Sequence, residues 1–382
     1  MKGSQMISGK ELIDRMFSGG KVDRIGLYEG FWPETLEAWV PEGYPVSDAA
    51  QGTKPVPMDP FEFFTFDMHK CGGFFDTEPR LGVEVTLDET EEWVLVRNGA
   101  GAVFKWWKNQ SGTPEHVDFH MSSREVWEAE YRDLLLSVDP QRFNGKWWEP
   151  KSLADDLADL RRAREKGQWA WYGHVFVWEV MRANMGDLQM YQNLLLDPGW
   201  VHDFNRVYTD FFREHYRFLF EHNGVPDGIW LMDDLAYKGR LFASPQTLSD
   251  LFLPYYAEII SFFHEYDLPV IFHSDGDITD ALPMLIEAGI QGLNPMEVKA
   301  GCDILQYARE YGDRLVFVGG MDVRVLETND RELIEAEAVR LLEGVKALNG
   351  RMVFGSDHTI TPRVRYDSYR YLLDVYQTHQ WY

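Results

Sequence analysis

Short apolar runs that break abruptly into His and Asp recur along this chain, and VIFHSDGDI (270–278) and MVFGSDHTI (352–360) are the clearest pair. Such a run reads as a strand buried on both faces, and polar groups at its carboxyl end lie where α/β proteins build their sites. Six of these runs follow residue 150: WAWYGHVFV (169–177), GIWLMD (228–233), LPVIFHSD (268–275), GIQGLNPME (289–297), RLVFVGG (314–320) and RMVFGSD (351–357). RIGLYEG (24–30) makes a seventh, and an eighth is expected near FEFFTFD (61–67), where aromatic crowding blurs its limits. Amphipathic stretches separate them, the rhythm of strand–helix units around a parallel sheet. The expected fold is α/β, a (β/α)8 TIM barrel. Seven clear strands leave a doubly wound open sheet as the alternative.

Two helices are legible in detail. In DRELIEAEAVRLLEGVKAL (330–348), Ile334, Ala338, Leu341 and Val345 share one apolar face, with Asn329 expected as N-cap and Glu332 three residues on. SPQTLSDLFLPYYAEIISFFHEY (244–266) opens with Ser244 as cap and Pro245 in the first turn, and Pro254 predicts a kink or break. Residues 81–121 instead alternate around the turn signal Asn98-Gly99, which predicts an antiparallel β-hairpin insertion able to form a flap over the barrel mouth. The whole of 1–382 is expected to be a single barrel domain carrying this insertion.

The balance of 62 acidic against 37 basic residues, a formal charge of -25, argues against nucleic acid, anionic membrane and polyanionic substrates. Cys71 and Cys302 are the two cysteines, so no disulfide framework or CxxC motif is available, and a reducing cytoplasmic setting is expected. No run approaches the roughly 18–20 apolar residues that span a bilayer.

Nearly every expected strand ends in groups suited to chemistry: Glu29, His174, Asp233 and Asp234, His273 and Asp275, Asn294 and Glu297, Asp322, and Asp357 with His358. In a parallel barrel these ends share one face, so they converge on one mouth. Strand periodicity puts His273 and Asp275 on the same side, and His358 from a neighbouring strand completes a set of two imidazoles and a carboxylate suited to zinc or another divalent metal. The competing reading is of hydrogen-bonded histidines and helix-capping aspartates. Glu297 is read as a fourth ligand, as a replacement for Asp275, or as a carboxylate that orients His273. Alternation sends only one of Asp233 and Asp234 inward, for acid/base work or as a cap. Glu29, His174 and Asn294 are placed among pocket-lining groups.

The segments DDLAYKGRLFASP (233–245), HSDGDITDALPMLIEAGIQGLNPMEVKAGCDI (273–304), VGGMD (318–322) and DHTITP (357–362) together resemble the uroporphyrinogen decarboxylase superfamily, with a good match over roughly residues 165–375. The resemblance implies a (β/α)8 barrel and two candidate activities. Decarboxylases of the superfamily carry an arginine-rich segment near the first strand; here it reads GLYEGFWPE, with Glu29 where cations are needed. Corrinoid-dependent methyltransferases carry a His-x-Cys pair and a later Cys before I-x-P. His273 matches the histidine, Asp275 replaces the first cysteine, and alignment on Ile360-Thr361-Pro362 puts His358 at the second.

Exchange of soft thiolates for harder ligands suggests a Lewis acid. The resemblance then implies an O-demethylase methyltransferase, moving a methyl group from a small aromatic ether to cobalamin on a partner corrinoid protein. Asp233, Asp234 and Glu297 would steer protons, and Tyr28, Trp32 and Tyr172 would form aromatic walls. DFHMSS (118–123) is the nearest approach to a corrinoid-binding D-x-H-x-x-G segment and lacks its glycine, so the cofactor is expected on the partner. A decarboxylase or lyase acting on a porphyrin-like acid and a non-catalytic ligand-binding barrel are the alternatives. A homo-oligomer is compatible with every reading.

Overall fold

A computed structural model describes residues 7–47, 56–109, 112–144 and 152–382. Strands β1 (Gly26–Leu27), β2 (Met68–Lys70), β7 (Trp169–Val175), β8 (Gly228–Met232), β11 (Val270–His273), β12 (Gly292–Asn294), β13 (Val316–Val318) and β14 (Arg351–Phe354) form one parallel sheet. Its neighbour order, β1-β14-β13-β12-β11-β8-β7-β2, is that of a TIM-like α/β barrel. All seven clear apolar runs contain a strand. The eighth strand lies just beyond FEFFTFD, because Asp59 caps a short helix, Pro60–Phe63, with Pro60 in its first turn.

The seam between β1 and β2 is closed by a side chain rather than a full ladder. Asp67 N–H donates to the Leu27 carbonyl at 2.8 Å, and Leu27 N–H donates to Asp67 Oδ2 at 2.8 Å. The Arg24 guanidinium grips both Asp67 oxygens, at 2.7 and 2.6 Å. The helix Gly9–Phe17 then plugs the amino end of the barrel, with Leu12, Ile13 and Met16 packed among Met68, Trp169, Val316 and Val353.

Alternation assigns the rest of β7. Trp169 and Trp171 belong to the barrel interior with Trp230 and Ile271, whereas Tyr172 packs in the outer layer between strands and helices. Gly173 takes the next inward position. A Cβ there would lie 2.7 Å from Trp171 Cζ3 and 3.0 Å from Met232 Cε, so glycine leaves the indole room to rise toward the mouth.

The insertion is larger than one hairpin. β3 (Glu84–Glu89), β4 (Trp93–Asn98), β5 (Ala102–Trp107) and β6 (Glu115–Phe119) form a four-stranded antiparallel sheet, and the turn after Asn98 joins β4 to β5. The sheet packs on the flank of the helix Val177–Leu196. That helix breaks at Gly186 (φ 76°), where a Cβ would lie 2.4 Å from the Phe119 ring. A flap over the mouth is therefore replaced by a buttress against a neighbouring helix. A two-residue antiparallel pair, β9 (Ala236–Tyr237) and β10 (Arg240–Leu241), follows β8.

The helix expected at 330–348 spans Arg331–Ala347 and buries Ile334, Ala338, Leu341 and Val345. Its cap is Asp330, which accepts from Glu332 and Leu333 N–H, not Asn329. Asn329 is left-handed (φ 55°) and ties two loops, donating to the carbonyls of Glu327 and Arg363. The 244–266 segment breaks as Pro254 predicts, into Pro245–Leu251 and Leu253–His264. No helix among the described residues is long and apolar enough to cross a membrane.

Candidate metal centre

Three neighbouring side chains at the ends of β8 and β11 converge at the mouth. Ligand atoms of Asp234, His273 and Asp275 all lie within 4.8 Å of one another. His273 Nε2 is 3.8 Å from Asp234 Oδ1 and 3.8 Å from Asp275 Oδ1. Side-chain exposures of 36, 29 and 35% for Asp234, His273 and Asp275 leave the group reachable from outside. Asp275 N–H donates to Asp234 Oδ1 at 2.9 Å, which fixes the two strand ends relative to one another.

Hydrogen bonding sets the tautomer of His273. Asn294 Nδ2 donates to the Val318 carbonyl at 2.9 Å, which turns Asn294 Oδ1 toward His273 Nδ1 at 2.5 Å. An acceptor at Nδ1 places a proton there and leaves the Nε2 lone pair facing the two carboxylates. This is the second-sphere arrangement that metal-binding imidazoles use. Burial works against a charged His273, yet the carboxylates of Asp275 and Asp234 and the Asn294 bond outweigh it and raise its pKa. Burial also raises the Asp275 pKa, with His273 pulling it back and Asp234 adding to it.

Two carboxylates and one oriented imidazole are a donor set that fits a divalent first-row cation, and binding would compete with protonation of His273 at Nε2. His358 lies beside this set, its Nε2 3.9 Å from Asp275 Oδ2. The compact group thus contains Asp234 in the place expected for His358, which approaches through the second oxygen of Asp275. Replacing Asn294 by alanine is expected to weaken metal affinity about 10–100-fold, read by competition with a chromogenic chelator. Unchanged affinity would mean that this bond does not orient the ring.

The other expected site residues divide between mouth and scaffold. Tyr28 lies in the interior, with ring centroids 5.5 Å from Trp230 and 6.2 Å from Trp171; those two indoles are 4.6 Å apart. Together they make an aromatic floor below Asp234, His273 and Asp275. Tyr172 and His174 fall outside the barrel, because Gly173 holds the inward slot between them. Tyr172 is fully buried in the outer layer, and His174 packs on Phe75 and Phe212 while its ring nitrogens meet the carbonyls of Val175 and Phe75. Neither lines the mouth. Trp32 is half-buried at the start of the helix Pro33–Trp39, its N–H bonded to the Ile360 carbonyl.

Five carboxylates near strand ends are taken up by the scaffold. Asp233 is fully buried and accepts from the N–H groups of Phe176, Trp178 and Glu179 and from Tyr256 O–H, so it caps the helix Val177–Leu196 instead of facing the mouth. Glu29 is consumed by Gly30 N–H and by the N–H and hydroxyl of Ser356. Glu297 accepts from Gly276 N–H at 2.7 Å and pairs with Lys299 at 2.8 Å, holding the loop after β11 in place of a ligand or proton-transfer role. Asp357 accepts from Val298 and Val323 N–H, and Asp322 pairs with Arg324.

Glu179 is a rim residue that sequence reasoning missed. It follows the end of β7 by one helical turn, bonds Arg182 at 2.6 Å, and is pushed by burial up to about 7, with Arg182 opposing and Asp234 adding. Burial likewise raises Glu29 to about 7 and Asp233 to about 8.

These shifts have a definite consequence for metal-free protein. Above pH 6.5 the unfolded carboxyls have released protons that folded Glu29, Glu179 and Asp233 still hold, and His273 acts in the same direction. Stability therefore falls as pH rises. His174 and His215, held down near 4 by burial, oppose this most strongly below the ordinary histidine value of about 6.5, and their opposition fades as pH rises above it. Calorimetry in a chelator is expected to give a Tm a few degrees lower at pH 8 than at pH 6.5. A Tm that climbs over this interval would contradict the shifts.

A protein of solved structure shares this architecture. A methyltransferase from Methanosarcina mazei superposes with a TM-score of 0.68 over 98% of this chain and 99% of that one, at 16% identity, which shows a common fold. A catalase of Vibrio cholerae serotype O1 is 26% identical over 208 residues. That match covers 52% of this chain and 39% of the catalase, so the chain spans well under half of that relative. The family described as "Uroporphyrinogen decarboxylase (URO-D)" matches residues 181–379, a span that holds Asp234, His273, Asp275, Asn294 and His358. That is more than half of the 382 residues, and the chain belongs to the uroporphyrinogen decarboxylase family.

Proposed function

We propose that this chain is a corrinoid-dependent methyltransferase, which moves a methyl group from a small aromatic methyl ether to cobalamin carried by a partner protein. The observation that carries the reading is the compact set of Asp234, His273 and Asp275 above a floor of Tyr28, Trp171 and Trp230. The ligands we assign are those three, with His358 as a fourth. A divalent cation bound there, zinc or a similar ion, would supply Lewis acidity toward the ether oxygen.

The chain's own residues perform the remaining tasks. Asn294 holds the His273 ring so that Nε2 faces the mouth, and the Asp275 N–H bond holds Asp234. The aromatic floor receives a flat ring and excludes water from it. Cobalamin on the partner would supply the nucleophile that accepts the methyl group, and Asp234, His273 and Asp275 would hold the cation beside the ether oxygen, where the aryloxide would leave with the electron pair of the broken O–CH3 bond. A phenol-like leaving group has a conjugate acid near 10, so its departure needs electrostatic support of this kind.

The fold likeness to a methyltransferase supports the reading, as does GLYEGFWPE at the first strand, which offers no arginine to a polycarboxylate. Incubation of zinc-loaded protein with cob(I)alamin and a panel of methoxyarenes is expected to yield methylcobalamin and a phenol, and a chelator should stop both. Carbon dioxide released from a porphyrinogen, with no methylcobalamin from any ether, would overturn the proposal in favour of a decarboxylase.

A further inference from the structure

A cleft of about 480 Å³ opens where the four-stranded insertion meets the segment Trp127–Tyr131, and it shares no residue with the metal centre. Arg97 of β4 and Asp118 of β6 line it, together with Arg80, His120, Glu130 and Tyr131. Four of these six are matched to one another. Arg80 donates to Glu130 at 2.8 Å and lies over Tyr131, 4.7 Å from the ring centroid. His120 Nδ1 is 2.8 Å from the Tyr131 hydroxyl, which fixes the imidazole against the wall. Gly101 (φ 75°) leaves them room, because a Cβ there would lie 2.5 Å from Tyr131 Oη and 2.7 Å from His120 Cβ. Arg97 and Asp118 are the exceptions. Both are exposed, and among the described residues neither makes a hydrogen bond or an ion pair. Nor do they pair with each other. Val103 of β5 has Arg97 opposite it on one side and Asp118 on the other, so the two share a face with two interstrand spacings, about 10 Å, between their backbones.

We propose that this cleft binds a small zwitterion of the α-amino acid class, its carboxylate on Arg97 and its ammonium on Asp118. The charges dictate the class. In a chain with 62 acidic against 37 basic residues, an arginine that meets no acid stands out as a place for an external carboxylate, which its planar fork grips through two parallel hydrogen bonds. A simple anion would bring its charge toward Asp118 and Glu130, and a simple cation would bring its own toward Arg80 and Arg97. A ligand of both signs complements both free groups, and a lining of two arginines and two carboxylates calls for no net charge. Size agrees with charge. An α-amino acid carries its two charged groups on one carbon, and with a charge-assisted hydrogen bond of about 2.8 Å at each end it spans most of the gap above Val103. The cleft volume also lies in the range of small-molecule sites.

Titration calorimetry on chelator-treated protein keeps this inference apart from the methyl-transfer reading, since no turnover is needed. Titrated one by one, the protein amino acids are expected to include at least one that binds saturably with a dissociation constant below about 1 mM. The amide of that amino acid, which lacks the carboxylate, and its N-acetyl form, which lacks the ammonium, should each bind at least about tenfold more weakly. Arg97→Gln and Asp118→Asn, both at exposed strand positions, should each weaken the free amino acid by about tenfold or more. Arg97→Gln should leave the amide unaffected, and Asp118→Asn should leave the N-acetyl form unaffected. No binding by any of the amino acids, equal binding of either blocked form, or undiminished amino-acid affinity in either variant overturns the assignment. Should a variant fail to fold, the wild-type comparison with the two blocked forms decides.

Discussion

His273→Ala is expected to leave purified protein without stoichiometric metal and to lower methyl transfer by about 10³-fold, because removing a Lewis acid forfeits several kcal/mol of transition-state stabilisation. The loss should be specific to the site. His273 ends β11 with 29% of its side chain exposed, and its ring bonds one side chain, Asn294. Far-UV circular dichroism and gel filtration should therefore match wild type. Elemental analysis alongside activity makes the test two-sided: retention of both metal and turnover would show that the ion is held elsewhere. Asp234→Asn distinguishes the ligand sets, since a centre built from His273, Asp275 and His358 alone would tolerate it, whereas the compact set would lose an anionic ligand.

The second large effect falls far from the chemistry. Asp67→Ala removes the carboxylate that closes the β1/β2 seam and leaves the Arg24 guanidinium, with 13% of its side chain exposed, without its ion-pair partner. Breaking a buried pair in this way costs about 3–5 kcal/mol. Loss of the bond from Leu27 N–H adds to the cost, because that group sits between strands that share no full ladder. An unfolding free energy from urea denaturation lowered by less than about 1 kcal/mol would mean that the seam is closed by packing alone. Asp67→Asn keeps the shape and should be intermediate.

Most of the barrel was legible because each of its buried strands is written as a short apolar run with a polar end. β2 was displaced for a local reason: Asp59-Pro60 starts a helix within the aromatic stretch, and the strand begins only after Asp67. The His273-x-Asp275 pair was readable from strand periodicity alone. The same rule, carried upward from Trp230 through Met232, selects Asp234 over Asp233 as the inward carboxylate. Applied through Trp169 and Trp171, it sends Tyr172 and His174 outside.

Other features had no local signature. Glu29, Glu297 and Asp357 end strands as catalytic carboxylates do, yet each is taken by backbone N–H groups contributed by segments remote in sequence. Glu179 gains its place at the rim from the helix that Asp233 caps, a contact spanning more than fifty residues. The size of the insertion was hidden by its uneven texture: every residue of β3 is exposed, so no buried stripe announces that strand.

The central claim, a divalent cation held by Asp234, His273 and Asp275, is tested most directly by anomalous diffraction at the zinc edge from zinc-loaded crystals. A single strong peak about 2.0–2.2 Å from His273 Nε2 and from one oxygen of each aspartate is the predicted result. A peak away from His273 Nε2, or no peak at the mouth despite stoichiometric zinc in the same protein, would contradict the account.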